Sequence, residues 1–400
     1  MNILRAIRAL PRTVWLLGAI SLCNDAASDM IYPLVPLYLT AVLMAGPKTL
    51  GLIEGVAEAL SSLLKLAAGV MADRSRKVRV WVIGGYAFSG FARPLIGLTS
   101  SWLGVFACRL ADRLGKGLRS APRDALLAQS VDASQRGLAF GLHRAMDNLG
   151  AVVGPLAAAA LLAFGVELRH VFLWAIVPAI LVLVLTVSLR EPEQAVAIAH
   201  APRSWTLRGQ PPALRRYLLA LGLFTLGNSS NMFLLLRAES LGAGAERVVL
   251  MWALFSAVAA LLSTPLSALS DRLGRVRVLS VAWGAYALAY LAIGLLPAAD
   301  WALWLAFAAY GVVTAALEGT EKALVADLVD SGNHGTAYGW YNLVSGIMLL
   351  PASLVFGWLW AATTPLVAFA FGAGCAASAT LLLRLWVLPT RFAPDSVQPR

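Results

Sequence analysis

Gly69-Val70-Met71-Ala72-Asp73-Arg74-Ser75-Arg76-Lys77-Val78-Arg79 returns later in the chain as Ser267-Ala268-Leu269-Ser270-Asp271-Arg272-Leu273-Gly274-Arg275-Val276-Arg277. The two copies stand 198 positions apart in 400 residues. The same offset lays Ala125-Leu126-Leu127-Ala128 over Ala323-Leu324-Val325-Ala326, and Gly137-Leu138-Ala139-Phe140-Gly141 over Gly335-Thr336-Ala337-Tyr338-Gly339. One register kept across separated segments reads as two copies of one folded unit. A site between such copies is where function is expected.

What surrounds the repeats belongs in a bilayer. Mean hydropathy is +0.74, 59% of residues are hydrophobic and only 13% are charged, against about 25% in soluble domains. Apolar stretches long enough to cross about 30 Å of hydrocarbon recur along the chain. A backbone in lipid satisfies its own hydrogen bonds, so such stretches read as helices. Spans are expected to start near residues 13, 50, 80, 102, 137 and 170, and again near 215, 248, 278, 301, 335 and 365. The fold class is an all-α membrane protein of about twelve helices in two pseudo-symmetric halves. The N-terminal half is 1–190, a linker rich in Pro and Arg is 191–213, and the C-terminal half is 214–400.

The net charge of +11 does not point to nucleic acid, because its placement follows the membrane. Arg5, Arg8 and Arg12 precede the first span; Arg74, Arg76, Lys77 and Arg79 separate spans two and three; Arg190, Arg203, Arg208, Arg215 and Arg216 fill the linker; Arg272, Arg275 and Arg277 separate spans eight and nine. All of these loops fall on one side of an even-numbered bundle. By the positive-inside rule both termini are expected in the cytoplasm, with the chain in the plasma (inner) membrane. The basic, then apolar N-terminus reads as a retained first helix, without a small-residue cleavage site. Cys23, Cys108 and Cys375 are scattered, so neither a disulfide framework nor a metal site is expected.

Charged residues inside the spans carry the chemistry, because each is costly in lipid unless paired or hydrated. Ser21, Asp25, Ser28, Asp29, Tyr32 and Pro36 form one stripe on the first span. Glu54, Glu58, Ser61 and Lys65 form another on the second; Arg109, Asp112, Arg113, Lys116 and Ser120 a third on the fourth. With Arg93, Arg144 and Asp147, six acids face six bases, which suggests a paired network lining a cavity. Asp29 and Arg113 fall near mid-membrane. A carboxylate that meets Arg in one state and loses it in another would release and take up a proton. Asp29 is therefore expected to be the coupling acid, with Asp25, Glu58 and Asp147 in reserve. Arg109, Arg113, Lys116 and Lys65 are expected as its basic partners, and the choice between Arg109 and Arg113 stays open.

The second half is mostly uncharged at mid-membrane. Asn228, Ser229, Ser230 and Asn231 in span seven, and Tyr341, Asn342 and Ser345 in span eleven, accompany Trp252, Phe255, Tyr286, Tyr290, Tyr310 and Trp340. Apolar walls with a few convergent polar groups make a ligand pocket, so Asn228, Asn231, Tyr341 and Asn342 are expected to line it. Glu318, Glu321 and Lys322 read as a solvated end of span ten. Gly115-Lys116-Gly117 lacks the spacing of a phosphate loop, and four scattered His residues have no metal-ligand spacing.

The repeated phrase resembles the signature between helices two and three of the major facilitator superfamily, and the resemblance covers essentially the whole chain. It implies that Gly69, Asp73 and Arg74, with Asp271, Arg272 and Gly274, form a cytoplasmic gate. The first copy departs from the pattern, with Arg76 where Gly is usual. Gly141, Gly150, Gly154 and Pro155, separated by eight, three and no residues, resemble the antiporter motif of the drug:proton branch, with Ala158 and Ala159 in place of its last two Gly. The resemblance implies a secondary transporter working by alternating access, by proton-coupled efflux of a small organic solute or drug. The alternative is a proton symporter or facilitator importing a sugar, carboxylate or metal chelate. Protons, membrane lipid and a small-molecule substrate are the expected partners. No cofactor, nucleic acid or enzymatic activity is expected, and the chain is expected to be monomeric.

Overall fold

A computed structural model describes residues 8–75, 78–131, 136–189, 206–297, 299–329 and 334–387. Arg5, Arg76, Lys77, Arg190 and Arg203 lie outside them, as does most of the linker. Side chains at Gly69, Asp73, Arg74, Asp271 and Glu318 are likewise not described. Among the described residues there is no strand, and the chain makes twelve helical segments.

The first half holds α1 (Arg12–Ile31, extended by turns over Leu34–Leu37 and Tyr38–Val42), α2 (Pro47–Ser75), α3 (Val78–Leu95), α4 (Trp102–Gln129), α5 (Arg136–Ala163) and α6 (Leu168–Val187). The second holds α7 (Pro212–Ser240), α8 (Ala245–Leu273), α9 (Arg275–Leu295), α10 (Asp300–Asp327), α11 (His334–Ala362) and α12 (Pro365–Val387). Every segment starts within three residues of its expected place. Hydrophobic run length and the punctuation between runs decide this: Ser101 and Thr364 cap α4 and α12 by accepting from Gly104 N and Val367 N.

Eight segments are long and apolar enough to cross a membrane by composition alone: α5 to α12. The other four are α1 to α4, whose charged stripes lower their hydropathy. Among the described residues, the Arg–carboxylate pairs buried inside the bundle lie on α2, α3 and α4.

Packing repeats between the halves. α1 lies on α5 and α6, and α3 and α2 lie on α4; correspondingly α7 lies on α11 and α12, and α9 and α8 lie on α10. The halves meet through α2 on α11 and α5 on α8, a pairing that the 198-residue repeat carries onto itself. Two ends can be told apart by the chain path: a proximal end near Arg12 and Pro212, and a distal end near Pro47 and Gly357. At the distal end the halves touch closely. A Cβ at Gly51 would strike the Ser353 carbonyl, one at Gly357 the Pro47 carbonyl at 2.6 Å, and one at Gly55 would meet Leu350 at 3.1 Å. Thr40 of α1 also donates to Glu239 of α7 at 2.8 Å. Near the proximal end a Cβ at Gly141 or at its repeat partner Gly339 would meet nothing. This conformation is closed distally, where the halves are in backbone contact.

Candidate functional site

The centre of the first half is a ladder of ion pairs between three helices. Arg109 of α4 grips Glu54 of α2 with two parallel bonds, Nε–Oε1 at 2.8 Å and Nη2–Oε2 at 2.9 Å. Both side chains are only 1% exposed. Asp112, one turn on, is held by Arg93 of α3 at 2.8 Å and lies 3.4 Å from Arg109. Arg93 also donates to the backbone and side-chain oxygens of Asn24 on α1, both at 3.0 Å. Arg113 pairs with Glu58 at 2.7 Å. Planar guanidinium forks suit such two-point pairing, and three Arg against three acids leave this layer neutral. Of the expected basic partners, Arg109 and Arg113 are paired. Lys65 and Lys116 are not: half-buried, they form no ion pair among the described residues.

Three of the acids form no ion pair with Arg among the described residues. Asp29 is half-buried and accepts from Trp252 Nε1 of α8 at 3.2 Å, a bond that joins the two halves. The expectation that Arg113 partners Asp29 is not met, because Glu58 occupies it. Asp25, one turn earlier on the same face, accepts from Asn24 Nδ2 at 2.8 Å. Asp147 of α5 lies 3.5 Å from His143 Nδ1. A half-exposed carboxylate in the middle of a bundle must face water rather than lipid, so Asp25 and Asp29 line the space between the halves.

Across that space α7 is broken. Its helix stops at Gly227 and resumes at Met232, and three of the four intervening residues turn their polar groups to tyrosines. Asn228 accepts from Tyr286 at 3.1 Å, Asn231 from Tyr310 at 2.9 Å, and Ser229 bonds Tyr290 at 3.3 Å. Ser230 instead donates to Glu54 at 3.5 Å, tying the break to the charged layer. Rings continue the link: Tyr32 lies 5.0 Å from Trp252, Trp252 4.5 Å from Phe255, and Phe255 5.5 Å from Tyr310. Arg109 sits 5.7 Å over Tyr32. A break at mid-membrane that faces polar partners is the usual build of a transporter binding site.

Two expectations need correction here. Glu321 is not a solvated helix end: it is 8% exposed and accepts from Trp283 Nε1 at 3.1 Å and Tyr341 Oη at 2.7 Å. Tyr341 thus belongs to a carboxylate site in the second half. Asn342 bonds the Tyr338 carbonyl of its own helix and is exposed, so it does not join the tyrosine cluster. Among the described residues no group of His, Cys, Asp and Glu is arranged to hold a metal.

The Major Facilitator Superfamily model matches residues 17–236 and 217–400, which together take in nearly the whole chain. The chain belongs to the major facilitator superfamily. It is 34% identical over 383 residues to an MFS-type transporter of Methanocaldococcus jannaschii, covering 94% of this chain and 95% of that one. It is 28% identical over 275 residues to the multidrug resistance protein MdtG of Escherichia coli, covering 65% and 66%. Among solved structures, the nucleoside transporter NupG superposes with a TM-score of 0.78 at 13% identity, over 93% of this chain and 99% of that one. The peptide transporter POT gives 0.78 at 12% identity, over 98% of both. At such identities the superpositions establish the shared fold. The chain is accordingly a secondary transporter of this superfamily and an integral membrane protein.

In this major facilitator the two signature regions take different forms. Gly274 closes α8 with φ +93°, a conformation open to Gly at little cost. Arg275, just beyond it, donates to Ser270 at 2.9 Å and pairs with Asp327 of α10 at 3.1 Å. Arg272 is exposed. The α5 glycines are split: Gly150 and Gly154 press on α1, where a Cβ would collide with the Leu22 and Ala26 carbonyls, while Gly141 packs on nothing. Pro155, Ala158 and Ala159 are buried beyond them. The close approach brings α5 onto the helix that carries Asp25 and Asp29, and a Cβ at Gly150 would lie 3.1 Å from that of Asp25. Sequence reasoning overlooked Asn24 and Thr40, and it left Glu54 and Arg93 out of the site. For Glu54 the signal was its place one turn before Glu58 on the same stripe.

Proposed function

We propose that this transporter exports a small organic solute in exchange for protons, by alternating access, from an inner membrane in which both termini are cytoplasmic. The observation that carries the reading is the isolation of Asp29. Three neighbouring acids are neutralised by Arg, whereas Asp29 has a single neutral donor, and that donor belongs to the other half. When the halves rock, the Trp252 contact is among the first to change, so the environment of the carboxylate follows the conformational state. Gain and loss of a proton at Asp29 would then be tied to which side is open. Asp25, one turn away, and Asp147 on α5 are the relay groups, and Arg109 and Arg113 hold the layer beneath them. The loops at Asp73–Arg74 and Asp271–Arg272 act as the cytoplasmic gate. The similarity to MdtG and the α5 glycines on α1 support efflux.

Everted vesicles energised with a proton gradient and followed with a pH-reporting dye test this. Particular compounds are expected to collapse the gradient in wild type and not in Asp29→Asn. Full proton-coupled transport by Asp29→Asn overturns the assignment. Uptake of a compound into right-side-out vesicles without any dye response overturns export.

A further inference from the structure

Among the described residues, two lysines in this bundle have no carboxylate within ion-pair distance. Lys116 lies on α4 one turn beyond Arg113, and Lys65 lies on α2 two turns beyond Glu58. Both are half-buried, and neither ammonium group makes a hydrogen bond or ion pair among the described residues. The helices that carry them cross beside them, where a Cβ at Gly117 would lie 2.7 Å from that of Leu64, and both lysines face Arg113 and Glu58. Glu58 is already taken by Arg113 at 2.7 Å. The other acids that face Lys116, Asp25 and Asp29, take their hydrogen bonds from Asn24 and Trp252 instead. Lys322, from α10 of the other half, is the next cation around Lys65. The helices α2 and α4 therefore present a locally positive pair of ammonium groups on the proximal side of a layer that is otherwise balanced.

Uncompensated ammonium groups inside a membrane bundle are expensive, and a bound anion repays that cost. Two point-charge donors on separate helices suit a group with two or more acceptor oxygens. Asp29, which faces Lys116, bonds Trp252, and Trp252 packs on Tyr32 and Phe255 as an aromatic wall. We infer that the cargo is an organic anion, whose carboxylate or phosphate oxygens sit between Lys65 and Lys116 while its apolar body lies toward that wall. This rests on the transport reading above for there being a cargo, and adds its charge class. The proton and the cargo would then occupy separate groups: Asp29 for the first, the lysines for the second.

The test is calorimetric titration of the purified full chain, without a proton gradient, using four probes built on one ring: benzoate, phenyl phosphate, benzyl alcohol and benzyltrimethylammonium. At least one of the two anions is expected to bind, and the neutral and cationic probes are not. Lys116→Gln and Lys65→Gln should each weaken the anion by about tenfold or more, since a bond to a charged group is lost. Lys116→Arg, which keeps the charge, should stay within about threefold of wild type and shows that the fold survives substitution there. Binding of the neutral or cationic probe as tight as the anions, anion binding unchanged in both Gln variants, or no binding of either anion overturns the inference. Because no gradient is applied, these failures are separate from a failure of proton coupling, which only the vesicle assay reads.

Discussion

Arg109 and Glu54 form a pair with both side chains only 1% exposed, and their worth lies in what happens when one is removed. Arg109→Ala leaves a buried carboxylate without its two donors, which costs about 3–5 kcal/mol. A large fall in the thermal unfolding midpoint in detergent is expected. Replacing both, as Glu54→Gln with Arg109→Met, should recover much of that loss, because the uncompensated charge disappears. A midpoint equal to wild type for Arg109→Ala would show that water reaches Glu54 after all. The charged stripes were legible in the sequence, since i, i+4 and i, i+7 spacing places Asp25, Asp29 and Tyr32 on one face. The pairing was not. Equal numbers of acids and bases suggest a fully matched network, but matching depends on which helices touch. Here α3 supplies Arg93 to Asp112, which commits that acid and leaves Lys65 and Lys116 over. Glu321 was misread for a related reason. Its position late in α10 suggested solvent, and only the fold brings Trp283 and Tyr341 against it.

At the scale of elements, the crossing of α1 and α5 depends on atoms that cannot move aside. Gly154 faces the Ala26 carbonyl and the Met30 amide nitrogen, which are backbone. Gly154→Val is expected to destabilise by about 1–3 kcal/mol or more, as overpacking does. Gly141→Val, on the same helix but facing open space, should leave the unfolding midpoint close to wild type. Size-exclusion and melting profiles of the two variants check the contrast, and equal damage from both would show that the motif acts as a unit. The helix starts were readable from run length and loop residues. The break in α7 was readable only as a polar run, Asn228 to Asn231, inside an apolar span. Whether such a run packs as helix or opens is decided by its partners, and Tyr286, Tyr290 and Tyr310 come from α9 and α10.

For the whole molecule, the repeat announced two halves, and the structure shows how unequally they are used. Distal closure rests on α2 against α11 and on the Thr40–Glu239 bond. Cysteines at these two positions, Thr40→Cys with Glu239→Cys in a background lacking Cys23, Cys108 and Cys375, are expected to be joined by a short bifunctional thiol reagent. Cross-linking should stop turnover while proximal residues stay reactive to soluble probes. Continued transport by fully cross-linked protein would mean that this end does not open. The concentration of charge in α1 to α4 also bears on how the chain is made. These helices leave the ribosome before those of the second half, and on insertion scales each Arg or Asp at a helix centre costs about 2.5–3.5 kcal/mol. Glu54 emerges 55 residues before the Arg109 that neutralises it. The α2 segment must therefore wait at the translocon, or re-enter the bilayer late, until α4 arrives. Biogenesis of the first half is a cooperative assembly of partners, whereas the apolar helices of the second half can enter one at a time.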